Sequence, residues 1–591
     1  MQNQTTSNSL DHTEYLKLAA FTLLCFFAFT YNLSEVPPYH SDENFYVTST
    51  RNMIDSGDYL TPVYHDKKRF AKPILFYWLV AASYKAFGVS LFSARLVSAF
   101  FGALCIPLVY TIARRLFGRR TAMLSVLLLP GCYLHYQIAR WAITDMALNF
   151  FILLAIYFFI RGLRDDPGRG ASIYLAYACM GIGFMIKGPP AVLIPALALG
   201  IFILILFDRK IFSQLRLLSG TAILLALITP WFATMLSIHG EEFKDHILGA
   251  EFRDRIIHDT PFSLYYLGAT LRYYLPWSLF FIAALVVRFT TNPGLAAATS
   301  KKNEHLMSLP ETLRFRFTEL REKDHQPFLF CLAWILGPLL LFTLFRIEHS
   351  RYLLPTLPAI VMITSHFLAC IVDSPPDCHR KSFQIPFYLT LMIYFLIAIL
   401  SGVAISLIQP VSPPPFPLLL LPGILLLGVG FLLLCYRYHK ITILVVALSL
   451  LQLVTLTSFS GDALPFFNRY PMKKFAEEIL ADPHPEKRIG LYRLGNHRAR
   501  MGVMTGLPSI YLNNAEELKQ FTQSEKKVFV VMRESDWKEE FPDLPLALQA
   551  IDTGWRKVRL DRDRLRQIHK DGLEPHLQEY TETYVLLAWA K

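Results

Sequence analysis

"LKLAAFTLLCFFAFTYNLSEVPPYHSDENFY" occupies residues 16–46, and its first part carries one charge, Lys17. An apolar run of about 18 residues or more reads as a membrane-spanning helix. A cleaved signal would need a small-residue processing site, which "SEVPPYHSDE" does not provide. The run is therefore expected to stay as a first span, with two adjacent carboxylates, Asp42 and Glu43, placed where it meets water.

The rest of the chain repeats this alternation. Charged residues make up 18% of the 591 positions, against roughly a quarter in a soluble protein, and hydrophobic residues make up 53%. Further apolar runs lie near 92–113, 121–138, 143–160, 173–186, 189–207, 217–236, 273–289, 328–345, 352–372, 383–408, 416–435 and 441–458. The expected fold class is an α-helical polytopic membrane protein of about thirteen spans.

The formal charge of +12 raises the question of nucleic acid, but the basic residues sit mostly in short loops between apolar runs. They are better explained by topology, with membrane lipids and no nucleic acid as partners. "RRLFGRR" (114–120), "RGLRDDPGRG" (161–170), "DRKIFSQLR" (208–216), loop 288–326, "HRK" (379–381) and "RYHK" (437–440) alternate with less basic loops. If they are cytoplasmic, the N-terminus is inside, and loop 34–90 and everything after about residue 460 are outside. "DKKRF" (66–70) then departs from the charge rule, which suggests an anionic ligand on the outer face.

Residues 1–459 read as the transmembrane unit and 460–591 as a soluble extracytoplasmic α/β domain. In the latter, 472–480 and 515–523 have helical spacing, and 488–494, 526–532 and 583–590 read as strands. The domain contains no nucleotide-binding loop pattern and no cysteine. The eight cysteines, mostly inside apolar runs, show no zinc or redox spacing.

With this topology, charged residues converge on the outer face. Asp42, Glu43, Arg51, Lys67, Lys68, Arg69 and Lys72 come from the first outer loop, and Asp145 and Lys187 from the ends of later spans. Arg253, Arg255 and His258 come from 239–260, and Glu348, His349 and Arg351 from 345–355. A partly desolvated carboxylate can act as a general base. Arg and Lys suit a phosphate, and aromatic residues such as Tyr46 suit a lipid chain or a sugar ring. Taken singly, the acids could serve a helix N-terminus and the loop cations could touch headgroups. Together they fit a phosphate-linked substrate delivered by the lipid. A transporter of lipid-linked glycans is the alternative. It would place charges at mid-membrane and pair its broken helices, which the sequence does not suggest.

"DENFY…STRNMIDSGDYLTPVYHDKKRFAKPILFYW" resembles the first outer loop of the polyprenyl-phosphate-dependent C-type glycosyltransferases. The likeness is to bacterial 4-amino-4-deoxy-L-arabinose (lipid A) transferases and to related protein mannosyltransferases. It continues through "ITDMAL", "GFMIKGPPAVLIPAL", "LRYYLPWSLF" and "RYLLPTLPAI", over most of 34–360. The resemblance implies a bacterial inner-membrane enzyme that moves a sugar, with inversion, from a polyprenyl-phosphate carrier to a glycolipid or protein acceptor. It also implies catalytic roles for Asp42 and Asp145, with Lys72 and Arg255 holding the carrier phosphate, while Glu43 is a further catalytic candidate as the other half of the acid pair. Lys187 lies in a shared "KG" motif, and with Arg51, Arg69 and Tyr46 it is a candidate substrate contact by its place on the outer face. Two positions depart from the family pattern. Phe45 stands where an Arg is usual, and Ala71 where a Glu implicated in metal coordination is usual, so a divalent metal stays an open question.

Overall fold

The computed structural model describes residues 12–38, 41–64, 67–163, 169–207, 209–247, 249, 264–290, 318–345, 348–373, 380–408, 413–468, 470–555 and 577–589. Among these, ten helices are long and apolar enough to cross a membrane, and eleven if one bent pair counts as a span. The chain is a multi-span membrane protein. Three of the expected runs are interrupted or short. Residues 121–138 break at Pro130 and Gly131 into α5 (Arg119–Leu128), a 3-10 turn and α6 (Tyr133–Ala139), because Pro cannot donate its backbone bond and Gly loosens the turn. Tyr265–Tyr273 and Trp277–Thr290 meet at 116° around Pro276, and Pro190–Leu206 has only 17 residues.

The first part of the chain builds the face that matters here. α1 (His12–Thr30) leads to α2 (Ser41–Ser56), a half-polar helix with Asp42 and Glu43 in its first turn. A short hairpin of β1 (Val63–Tyr64) and β2 (Lys67–Lys68) follows, in the register Val63↔Lys68. Then come α3 (Leu75–Phe87), α4 (Leu91–Phe117), α7 (Thr144–Leu163), α8 (Arg169–Lys187) and α9 (Pro190–Leu206). Their buried faces form one apolar core, in which Ile74, Phe76, Val109, Ile152 and Ile186 are at most 1% exposed. Other helices keep Phe395, Leu396 and Leu427 exposed, as helices that face lipid tails do.

After a helix ending at Ser458 the chain forms a small α/β region. Its sheet runs β4 (Ser509–Leu512), β3 (Lys487–Tyr492), β5 (Lys527–Arg533), β7 (Thr581–Trp589), β6 (Leu546–Trp555). β3 pairs parallel with both β4 and β5, while β7 runs antiparallel between β5 and β6. The central strands are apolar on both faces, as strands covered on both sides are, and two separate apolar clusters pack against the sheet. Specific contacts hold this region to the segment just after α1: Lys473 pairs with Glu35 at 2.5 Å, Tyr31 donates to Asp462 at 2.9 Å, and Asn32 donates to the Gly461 carbonyl at 3.1 Å.

Candidate functional site

Adjacent helical residues point about 100° apart, so Asp42 and Glu43 cannot share a direction. Glu43 turns inward and is fully buried. Arg95 of α4 donates Nε to Oε1 at 2.7 Å and Nη2 to Oε2 at 2.8 Å, and the Ala142 backbone N–H donates to Oε1 at 2.9 Å. Arg95 also donates Nη1 to the carbonyls of Leu33 and Val36. Glu43, expected among the catalytic acids, is thus held in a buried ion pair. Its carboxylate accepts three hydrogen bonds and is closed to solvent, and it fixes α2 on α4 and on the approach to α7.

Asp42 faces the other way and stays partly exposed. Its Oδ2 lies 2.9 Å from Nη2 of Arg351, which stands on the 3-10 turn Ser350–Thr356 ahead of the helix Leu357–Asp373. Asp145, in the first turn of α7, and Lys187, the last residue of α8, form a second pair at 2.5 Å with both side chains 6% exposed. Each sits at the helix end its charge favours. Gly188 takes φ +95°, a conformation that suits glycine, and lets the chain turn into the prolines that start α9. Tyr352 joins the two pairs. Its ring centroid is 4.7 Å from Lys187 Nζ and 5.7 Å from the Arg351 guanidinium carbon, and Asp145 also acts electrostatically on Arg351. Asp42, Arg351, Tyr352, Lys187 and Asp145 thus form one continuous charged chain on one membrane face.

The remaining expected residues divide. Arg69 stacks its guanidinium 3.8 Å over Phe45 and donates Nε to the Tyr77 hydroxyl at 3.3 Å. The ring that replaces an arginine at position 45 therefore carries one on its face. Lys72 is half-buried and donates Nζ to the Ala71 carbonyl at 2.7 Å. Tyr46 is 2% exposed, wedged between Phe76 and Tyr77, and burial pushes its phenol well above the usual range. It ties α2 to α3, with little surface left for the expected ligand contact. Arg51 lies about 13 Å along the helix from Asp42. It pairs with Asp55 at 3.5 Å, touches Gly506 of the α/β region, and lines a separate cavity of about 650 Å³ with Lys473 and Arg498. Arg255, with Arg253 and His258, falls outside the described residues.

Two buried arginines carry signals in the sequence, since an ionisable residue inside an apolar run or in a short break between two runs marks a fixed partner or a site. Arg95 is one. Arg140 is the other: its Nη1 donates to the carbonyls of Phe29 and Tyr31 at the end of α1. Both line a cavity of about 350 Å³ with Leu33, Tyr133, Trp141 and Ser350. Among the described residues no three His, Cys, Asp or Glu side chains gather as a metal-holding group. Asp42 and Asp145 each already face a cation, so this donor set fits a divalent metal poorly.

Residues 71–233 match the family described as dolichyl-phosphate-mannose-protein mannosyltransferase. The chain is 28% identical over 412 residues to an uncharacterised protein of Aquifex aeolicus, covering 69% of this chain and 72% of that one. It is 27% identical over 387 residues to the undecaprenyl phosphate-alpha-4-amino-4-deoxy-L-arabinose arabinosyl transferase of Aeromonas hydrophila. That match spans 63% of each chain, a little under two thirds of the transferase. The crystal structure of ArnT from Cupriavidus metallidurans bound to undecaprenyl phosphate superposes with a TM-score of 0.70 over 98% of both chains, at 19% identity. The apo form of that protein superposes with a TM-score of 0.67. The fold is that of the protein-mannosyltransferase-like C-type glycosyltransferases.

Proposed function

We propose that this chain, a multi-span membrane protein with the C-type glycosyltransferase fold, transfers a sugar from a polyprenyl-phosphate carrier to a hydroxyl outside the cytoplasm. The observation that carries the reading is the meeting of Asp42, Arg351, Asp145 and Lys187 as two linked ion pairs on one membrane face of that fold. The named transferase relatives and the undecaprenyl-phosphate complex of the structural neighbour support the same donor class. The transporter alternative draws no support from these relatives.

In this reading the acceptor oxygen attacks the anomeric carbon from the face opposite the phosphate. The new C–O bond forms as the carbon–phosphate-oxygen bond breaks, with inversion, and the bonding pair leaves on the carrier phosphate. The acceptor proton passes to Asp42, a positioned base. Lys72 and Arg255 hold the phosphate, where cations stabilise charge that grows in the transition state. Asp145, paired with Lys187, stabilises positive charge that develops on the sugar. Residues 1–459 form the catalytic transmembrane unit in the bacterial cytoplasmic membrane, with the N-terminus inside, and 460–591 form an extracytoplasmic domain. The acceptor is lipid A, another glycan or a protein.

The test is sugar transfer by the purified protein in nanodiscs supplied with polyprenyl-phosphate sugars, together with mass spectrometry of envelope lipids and glycoproteins with and without the protein. Lys72→Ala and Arg255→Ala should each raise KM for the donor roughly ten- to a hundredfold, the loss of one charge-assisted contact. A parent protein that transfers none of the sugars offered, in cells whose envelope is unchanged by its removal, would end the reading.

A further inference from the structure

The cations around Asp42 and Asp145 are not equally available. Lys187 is locked to Asp145 in a pair with both side chains 6% exposed, and moving it would strand a buried charge. Arg69 is stacked on Phe45 and bonded to Tyr77. Arg351 differs, because its partner Asp42 is 32% exposed and keeps some hydration if the pair opens. A guanidinium also matches a phosphate as well as a carboxylate, in the same forked geometry.

We propose that Arg351 is an exchange residue: it holds Asp42 in the unloaded protein and passes to the carrier phosphate when donor binds, leaving Asp42 able to take the acceptor proton. This rests on the transferase reading above. A carboxylate clamped by an arginine stays ionised but is a weak base. Exchange makes it a better base only when donor is in place, which guards against idle deprotonation of water. The same movement serves departure of the leaving group. The carrier phosphate changes from a diester with one charge to a monoester approaching two, and Arg351 meets that growing charge as the sugar–oxygen bond breaks.

The experiment measures undecaprenyl-phosphate affinity in nanodiscs for the parent, Arg351→Gln, Asp42→Asn and the double variant, with thermal unfolding as a fold check. Arg351→Gln should weaken binding about tenfold, and Arg351→Lys should recover part of it. Asp42→Asn should bind the lipid about threefold or more tightly, because the resting partner of Arg351 keeps a hydrogen bond but loses its charge. In the Arg351→Gln background the Asp42→Asn gain should vanish. A gain that persists there would assign the effect to plain charge repulsion and overturn the exchange. Unchanged affinity in folded Arg351→Gln would overturn it too, while leaving the transferase reading intact. A parent that binds no undecaprenyl phosphate would remove both.

Discussion

Glu43 gives both carboxylate oxygens to Arg95, at 2.7 and 2.8 Å, and the two side chains are 0% and 2% exposed. Removing one member of a buried pair strands the other, at a cost of about 3–5 kcal/mol. Glu43→Gln and Arg95→Ala should therefore both lower the unfolding temperature in detergent and reduce yield. Activity should fall only as far as folded protein is lost. Normal melting with abolished transfer in Glu43→Gln would return Glu43 to the chemistry.

The Asp145–Lys187 pair has the same burial but lies against Tyr352. Lys187→Met alone should destabilise strongly, by several kcal/mol, because it leaves a naked carboxylate in the membrane face. Lys187→Met combined with Asp145→Asn removes both charges and should recover most of the melting temperature while transfer stays lost. If the double variant melts no higher than Lys187→Met, charge burial is not what Lys187 relieves.

These two pairs also show what can be read from sequence and what cannot. Asp42, Asp145 and Lys187 stand out because they interrupt the edges of apolar runs, and the family likeness of their surroundings pointed to the fold and the transfer chemistry. The different fates of Asp42 and Glu43 depend on where α2 begins, and a shift of one residue would exchange them. Arg95 finds its carboxylate 52 positions away, which no local pattern reveals. Pro130 and Gly131 were visible breakers inside 121–138, yet the hydropathy of the run masked them. β6 is not legible as a strand because Gln549 and Asp552 interrupt its apolar residues.

Orientation is expected from the alternation of basic loops. A reporter inserted between Tyr438 and His439 should be active in the cytoplasm, and one inserted after Asp58 or fused to the C-terminal end should be active outside. Opposite activities would move the charged face to the cytoplasm and remove the extracytoplasmic acceptor.

His497 makes the α/β region acid-sensitive. Its ring stacks 5.6 Å from Tyr470, whose hydroxyl lies 3.0 Å from Nδ1, and burial followed by the nearby Arg500 lowers its pKa from 6.5 to about 4. Between those values the unfolded chain binds a proton that the folded chain refuses. Stability is therefore fully present above about pH 6.5 and drains away as pH falls towards 4. Protease cleavage within 470–555 of the full-length protein should accelerate severalfold from pH 7 to pH 5, and His497→Phe should flatten that rise. An equally steep rise in His497→Phe would put the titrating group elsewhere.

In the proposed reaction the acceptor proton passes to Asp42. An acceptor hydroxyl is a poor nucleophile at neutral pH, and a positioned general base contributes about 10²–10⁴-fold. Asp42→Asn keeps the shape of the side chain and can still accept a hydrogen bond from Arg351, and Asn serves a helix N-terminus about as well as Asp. What it loses is the capacity to take a proton. The variant should insert and fold like the parent, bind carrier lipid, and transfer sugar at least about a hundredfold more slowly. A helix-terminus role for Asp42 makes the opposite forecast, near-normal transfer by Asp42→Asn and damage only from Asp42→Ala. The deciding measurement is single-turnover transfer with donor saturating, which separates chemistry from binding. Parental turnover by purified Asp42→Asn would take the base away from Asp42 and leave Asp145, the other acid of the linked pairs, as the next residue to test.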